Sequence, residues 1–163
     1  MDTEAIKNII GEFIKQLGVS FDEIAISHGK AEEKVEGKVE DCPIFSIKTA
    51  DSGVLIGSRG ANLGALNHII KKIASKRLSL PEDARFVVDV NNYHEKMVED
   101  LKTRAHIMSE RARSFGVDVP LPPMTSYERM IIHSFLENAS GIKTESEGEG
   151  KNRRVIIKYV KEN

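Results

Sequence analysis

The chain has 163 residues, 40% hydrophobic and 30% charged, enough apolar material for the core of one domain or of two small ones. Its 24 basic and 25 acidic residues leave a formal charge of −1, which excludes attraction to nucleic acid by bulk basicity and requires local patches instead. The single cysteine, Cys42, cannot close an intramolecular disulfide, and no apolar run reaches the length of a membrane span or a signal-peptide core, so a cytoplasmic protein without stable membrane insertion is expected.

Ile6, Ile9, Ile10, Phe13, Ile14 and Leu17 recur at helical spacing and predict an amphipathic helix over about 3–17, capped by Asp2 or Thr3 and ended by Gly18. Ile24 and Ile26 alternate with Ala25 and Ser27 in a short strand. The acid-rich stretch from Asp22 to Asp41 reads as a solvated hairpin, with a charged turn about Glu36-Gly37. Phe45 and Ile47 alternate with Ser46 and Lys48 in a second strand, and a short apolar turn, Val54-Leu55-Ile56, leads into Gly57-Ser58-Arg59-Gly60. A helix follows with the stripe Leu63, Leu66, Ile69, Ile70, Ile73 and Ala74, leaving His68, Lys71 and Lys72 on its other side. Beyond Pro81, Phe86, Val88 and Val90 alternate with Arg85, Val87 and Asp89 in a third strand.

Gly57 and Gly60 let the backbone turn tightly and approach a ligand, because no Cβ intervenes. A helix that starts just after Gly60 points its first, unpartnered N–H groups and the positive end of its dipole toward the loop, an arrangement that favours an anion such as phosphate. Ser58 and Arg59 add a hydroxyl and a fixed positive charge, and from Arg59 to Leu78 the basic residues Arg59, Lys71, Lys72, Lys76 and Arg77 occur without an acid. Two glycines at this spacing also occur in plain turns, and lysines decorate any solvated helix face; the loop gains meaning from its setting. That setting resembles a type II KH domain (αββααβ) over residues 1–91, with Gly57–Gly60 as its GxxG loop. The resemblance implies that Gly57, Ser58, Arg59 and Gly60 hold the backbone of about four nucleotides. Lys71 and Lys72 would extend the positive track.

Residues from about 92 to 115 lack Pro and Gly and predict one helix of about 36 Å at ~1.5 Å per residue. It should stop near Phe115-Gly116, before Val119-Pro-Leu-Pro-Pro123. The domain boundary is placed at its start, giving units 1–91 and 92–163. Thr125-Ser-Tyr-Glu128 has capping-box form and starts a helix at Ser126. Ile131, Ile132, Phe135 and Leu136 are expected on its buried side, with Arg129 and His133, one turn apart, on the rim. Residues 141–146 read as a strand, 147–152 as a turn, and Arg153 to Val160 as the returning strand. Val155, Ile157 and Tyr159 should face inward, and Arg154, Ile156 and Lys158 outward.

Arg-x3-His on a helix, followed by this hairpin, resembles the R-3-H domain, a module that binds single-stranded nucleic acid. A type II KH domain, a long helix and an Arg-x3-His domain in this order, an α+β chain overall, resemble the bacterial Jag (SpoIIIJ-associated, KhpB) family. The resemblance implies a protein that binds single-stranded RNA, or single-stranded DNA, and acts on transcripts. It also implies links to cell elongation or division and to a small single-KH partner protein. Members often carry a further N-terminal domain, whereas this sequence starts at the KH helix; Ala61 stands where a Glu commonly follows Arg-Gly. By the same resemblance Arg129 would contact phosphate, and His133 would stack on a base or bond to phosphate. Arg153 and Arg154 point to opposite faces of a strand, so at most one of them shares the helix surface, with Arg154 preferred.

Catalysis is not expected. The sequence has no HExxH or Cys/His metal pattern, no Ser/His/acid elbow and no Gly-Lys-Ser/Thr of a P-loop, so neither cofactor nor metal is assigned. A protein-interaction scaffold that has lost nucleic-acid affinity is the competing reading.

Overall fold

The computed structural model describes residues 2–30, 41–81 and 84–161, and the turn expected about Glu36-Gly37 lies outside them. The chain divides into two compact units, Met1–Tyr93 and His94–Asn163.

In the first unit, helix α1 (Thr3–Gln16) precedes strands β1 (Glu23–Lys30) and β2 (Asp41–Lys48). The short helix α2 (Ser52–Ile56), a 3-10 turn (Ser58–Gly60), helix α3 (Ala61–Leu78) and strand β3 (Val87–Val90) follow. Asp2 caps α1, its Oδ1 accepting from Ala5 N at 3.0 Å. Gly18, at φ 73°, ends it and lets the Val19 N–H reach the Ile14 carbonyl. β2 is central, antiparallel to β1 and parallel to β3. Pro43 sits in β2 opposite His28, one residue before pairing with β3 begins at Ile44. One side of the strand is still unpaired there, a position that tolerates a residue without an N–H.

Ile6, Ile10 and Ile14 of α1, Phe45 and Ile47 of β2, Ile70 and Ala74 of α3, and Val88 and Val90 of β3 form the core. Phe45 meets Phe86 edge to face, with centroids 5.7 Å apart. Two expectations are corrected. The buried stripe of α3 is Leu63, Leu66, Ile70 and Ala74, while Ile69 stands one step off it and is 42% exposed. Asp89, which alternates with the apolar Val88 and Val90, is buried at 7% exposure, although Val87 on the same face is 36% exposed. β3 is also clamped from α3: Asn67 Nδ2 donates to the Val88 carbonyl at 2.7 Å, and its Oδ1 accepts from Val88 N at 2.8 Å.

In the second unit, helix α4 (Tyr93–Phe115), whose first residue is the last of the preceding unit, is followed by strand β4 (Val119–Pro120) and helix α5 (Ser126–Leu136). Strand β5 (Ile142–Glu147), a 3-10 turn (Gly150–Asn152) and strand β6 (Arg154–Tyr159) complete it. The sheet runs β4-β6-β5 with antiparallel pairing throughout. Leu101, Ala105 and Ala112 of α4, Ile131, Ile132 and Leu136 of α5, and Val155 and Ile157 of β6 form its core. The β4 pairing of Val119 with Ile157 was not expected from the proline-containing segment.

Three residues change sides. Phe135 lies one step past the buried face of α5 and is 41% exposed. Tyr159, the last residue of β6, is 36% exposed. Ile156, expected outward, is buried because β6 is the central strand and Pro120 and Glu145 flank it in register.

The capping box at Thr125 is complete: Thr125 Oγ1 accepts from Glu128 N at 3.3 Å, and Glu128 Oε2 accepts from Thr125 N at 2.6 Å. Thr125→Ala is expected to cost about 1 kcal/mol, seen as a lower denaturation midpoint. An unchanged midpoint would mean that packing alone fixes the start of α5.

Candidate nucleic-acid interface

The glycine loop owes its form to three left-handed residues in four. Gly57 has φ 70° and ψ −175°, Arg59 φ 52° and Gly60 φ 77°. Gly57 N donates to Gly53 O at 2.9 Å, tying the loop to α2. A Cβ on Gly57 would stand 2.5 Å from Asn62 Cγ. Asn62 cannot simply move, since its Nδ2 donates to the Val54 carbonyl at 2.9 Å and holds α2 against the start of α3. A Cβ on Gly60 would stand 2.9 Å from Cε1 of Tyr93. Gly60 occupies the cap position of α3, no side-chain cap bond is made there, and Ser58 and Arg59 are exposed at the tip. A hydroxyl and a guanidinium thus stand at the positive end of an 18-residue helix.

Lys71 and Lys72 are exposed, but they do not gather at this loop. With His68 and Ser75 they line a groove against Leu80, Pro81, Ala84 and Phe86. They lie roughly 15 Å along the axis from Ala61, at ~1.5 Å per residue.

In the second unit, Arg129 and His133 are both half-buried on the rim of α5. Arg129 donates from Nη1 to the Met124 carbonyl at 3.0 Å and from Nη2 to Ser126 Oγ at 3.1 Å. His133 Nδ1 lies 2.7 Å from Thr144 Oγ1, and its Nε2 lies 2.8 Å from Ser146 Oγ. Burial, and then the neighbouring Arg129 charge, push the imidazole pKa below its ordinary value.

The preference for Arg154 over Arg153 is reversed. In register, Thr144, Ser146, Val155 and Ile157 face α5, whereas Arg154 pairs with Glu147 on the opposite face. That outer face carries ion pairs from Lys158 to Glu145 and Glu147 and from Lys143 to Glu145. Hydrogen bonds from Lys158 and Lys143 lower the Glu145 pKa, and its bond with Glu145 raises that of Lys158. Arg153, at the α5 parity, donates from Nη1 to the Gly148 carbonyl at 2.8 Å, and its own carbonyl accepts from Met124 N at 3.1 Å. The Arg129 guanidinium and the Arg153 backbone carbonyl thus both bond to Met124, while the Arg153 guanidinium is turned to Gly148.

Asn62, Thr144 and Ser146 escaped the sequence reading. The two hydroxyls, separated by one residue on a strand, were the available signal. Among the described residues no group of three or more His, Cys, Asp or Glu could hold a metal ion, and no helix is long and apolar enough to cross a membrane.

An R-3-H domain model matches residues 99–159. The chain is 30% identical over 163 residues to the RNA-binding protein KhpB of Clostridium symbiosum, covering 98% of this chain and 69% of that protein. It is 33% identical over 117 residues to KhpB of Bacillus subtilis, covering 71% of this chain and 55% of that one. With KhpB of Lactiplantibacillus plantarum it shares 31% identity over 113 residues, covering 69% of this chain but only 34% of the relative. A similarity that takes in both units and the Arg-x3-His helix, at this identity and coverage, places the chain in the KhpB (Jag) family.

Proposed function

We propose that this protein binds single-stranded RNA without catalysing a reaction on it. The first unit is read as a type II KH domain whose glycine loop grips the strand backbone, and the second as an Arg-x3-His domain that takes a further stretch. The conformation of Gly57–Gly60 carries this reading. Two glycines that admit no Cβ set a hydroxyl and a guanidinium at the uncapped start of α3, where backbone N–H groups favour phosphate. The relatives' printed name, RNA-binding protein, supports the same ligand.

Within the site, Gly57, Ser58, Arg59 and Gly60 hold phosphates, and Arg129 with Arg153 forms the basic part of the second surface. Lys71 and Lys72 offer a separate basic stretch to a longer strand. A post-transcriptional role in the cytoplasm, connected with cell elongation or division and with a small single-KH partner, accords with this reading. Two weak sites on one chain gain affinity through linkage, because the second contact forms at a raised effective concentration.

Titration of a labelled single-stranded RNA at increasing salt tests the proposal. Roughly three to five phosphate contacts, at about −0.7 each, predict a log–log slope of about −2 to −4. A slope near zero from roughly 50 to 300 mM salt would reject phosphate-led binding and favour the interaction scaffold, to which a net charge of −1 is no obstacle.

A further inference from the structure

A Cβ on Gly60 would stand 2.9, 3.3 and 3.4 Å from Cε1, Oη and Cζ of Tyr93, so the hydroxyl end of that ring lies on the glycine backbone. A turn of its own brings Tyr93 there. Asn91 and Asn92, at φ 50° and 57°, are successive left-handed residues, a conformation uncommon outside glycine that asparagine tolerates. Asn91 fastens this turn to the end of β2. Its N donates to the Ile47 carbonyl at 3.0 Å and its Nδ2 to the Thr49 carbonyl at 2.8 Å, while its Oδ1 accepts from Thr49 N at 3.1 Å. Tyr93 packs in part on the core of the first unit, yet it is only half-buried. The chain has three tyrosines and no tryptophan, so this ring is not one patch of a general aromatic surface.

We propose that Tyr93 is a further RNA contact, its ring stacking on the base of a nucleotide whose phosphate the glycine loop holds, with Asn91 as the positioning residue that sets the ring. The inference rests on the reading of Gly57–Gly60 as a phosphate clamp and adds a base contact from outside that segment. A phosphate held at Gly60 brings its own nucleoside within reach of a ring already touching Gly60. An unstacked base offers a flat face that an aromatic side chain covers whatever the base. Tyrosine has two side-chain torsions to fix, and here the core and the glycine backbone hold the ring before the strand arrives. The missing Cβ of Gly60 then serves two ends: it permits the left-handed turn, and it leaves room for the ring.

The full chain is titrated with a single-stranded RNA and with copies of it that each carry one abasic nucleotide. Wild type, Tyr93→Phe, Tyr93→Leu and the Ser58→Asp, Arg59→Asp double variant are compared, with circular dichroism as the check on folding. In wild type one abasic position should weaken binding roughly 5- to 100-fold, the range for loss of a stacked base. Tyr93→Phe keeps the ring and should behave as wild type. Tyr93→Leu should bind the intact strand that much more weakly and no longer sense that abasic position. A ring that merely propped the loop would give another pattern, with both strands weakened equally and the discrimination kept. In a Tyr127→Phe, Tyr159→Phe background Tyr93 is the one tyrosine left, and its fluorescence should be quenched by the intact strand but not by the copy abasic at the sensitive position.

A folded Tyr93→Leu chain that discriminates as wild type does overturns the inference, and so does Tyr93 emission that RNA leaves unchanged. Equal losses in Tyr93→Phe and Tyr93→Leu would also overturn it, since the hydroxyl and not the ring would then carry the contact. If Tyr93→Leu does not fold, the fluorescence measurement decides alone. If the Ser58→Asp, Arg59→Asp chain binds like wild type, the phosphate clamp itself fails and the inference falls with it; if that chain loses affinity while Tyr93 stays silent, only the inference falls.

Discussion

Replacing Ser58 and Arg59 together by aspartate is expected to lower affinity for single-stranded RNA at least about tenfold, or ~1.4 kcal/mol, with the fold intact. Both side chains are exposed, and neither belongs to the core around Phe45 and Ile70. Aspartate is among the residues that tolerate the left-handed conformation Arg59 adopts at φ 52°. Carboxylates near the first turn of α3 also suit the helix dipole, by about 0.3–1 kcal/mol, which favours an intact fold. The electrostatics that spare the fold oppose the ligand, because two negative charges then occupy the place of a phosphate. A folded variant with unchanged affinity would remove the glycine loop from the site.

Gly57→Ala should damage the same loop without altering charge. Backbone near φ 70°, ψ −175° is open essentially to glycine alone and costs any other residue about 1–3 kcal/mol. The new methyl would also drive Asn62 away from its bond to the Val54 carbonyl. We expect a lower denaturant midpoint together with RNA affinity reduced by tenfold or more in the folded fraction. Gly64→Ala is the matched control. Gly64 lies inside α3 with nothing within 4 Å of an added Cβ, so alanine there should stabilise by about 0.5–1 kcal/mol through helix propensity and leave binding alone. Equal effects of the two substitutions would mean that the loop's special geometry is irrelevant to binding.

Local signals were legible in the sequence. Asp2, Gly18, Thr125 and Glu128 act within one turn of the helix ends they define, and the apolar spacing of α1 and α5 marks each as a helix, though not every side chain it buries. Features that depend on what lies across from a residue were not legible. Arg153 and Arg154 can be ranked only once β6 is registered against β5, and the burial of Asp89, beside an exposed Val87 on the same face, depends on its tertiary surroundings. His133 could be placed on a rim by counting, yet its docking depends on Thr144 and Ser146, 11 and 13 residues away. Lys71 and Lys72 show a different limit: periodicity gives the side of a helix, while function depends also on distance along it.

Asn67 bears on how the first unit meets other molecules. Its carboxamide satisfies the N–H and the carbonyl of Val88 together, standing where the peptide group of an added strand would otherwise bind. Sheet edges commonly invite such additions, and chains that accept them can polymerise strand upon strand. At Val88 an incoming strand must first displace a bidentate internal mimic of itself. Strand addition at the β3 edge of the β1-β2-β3 sheet is thereby opposed at Val88 by a side chain of the protein's own helix.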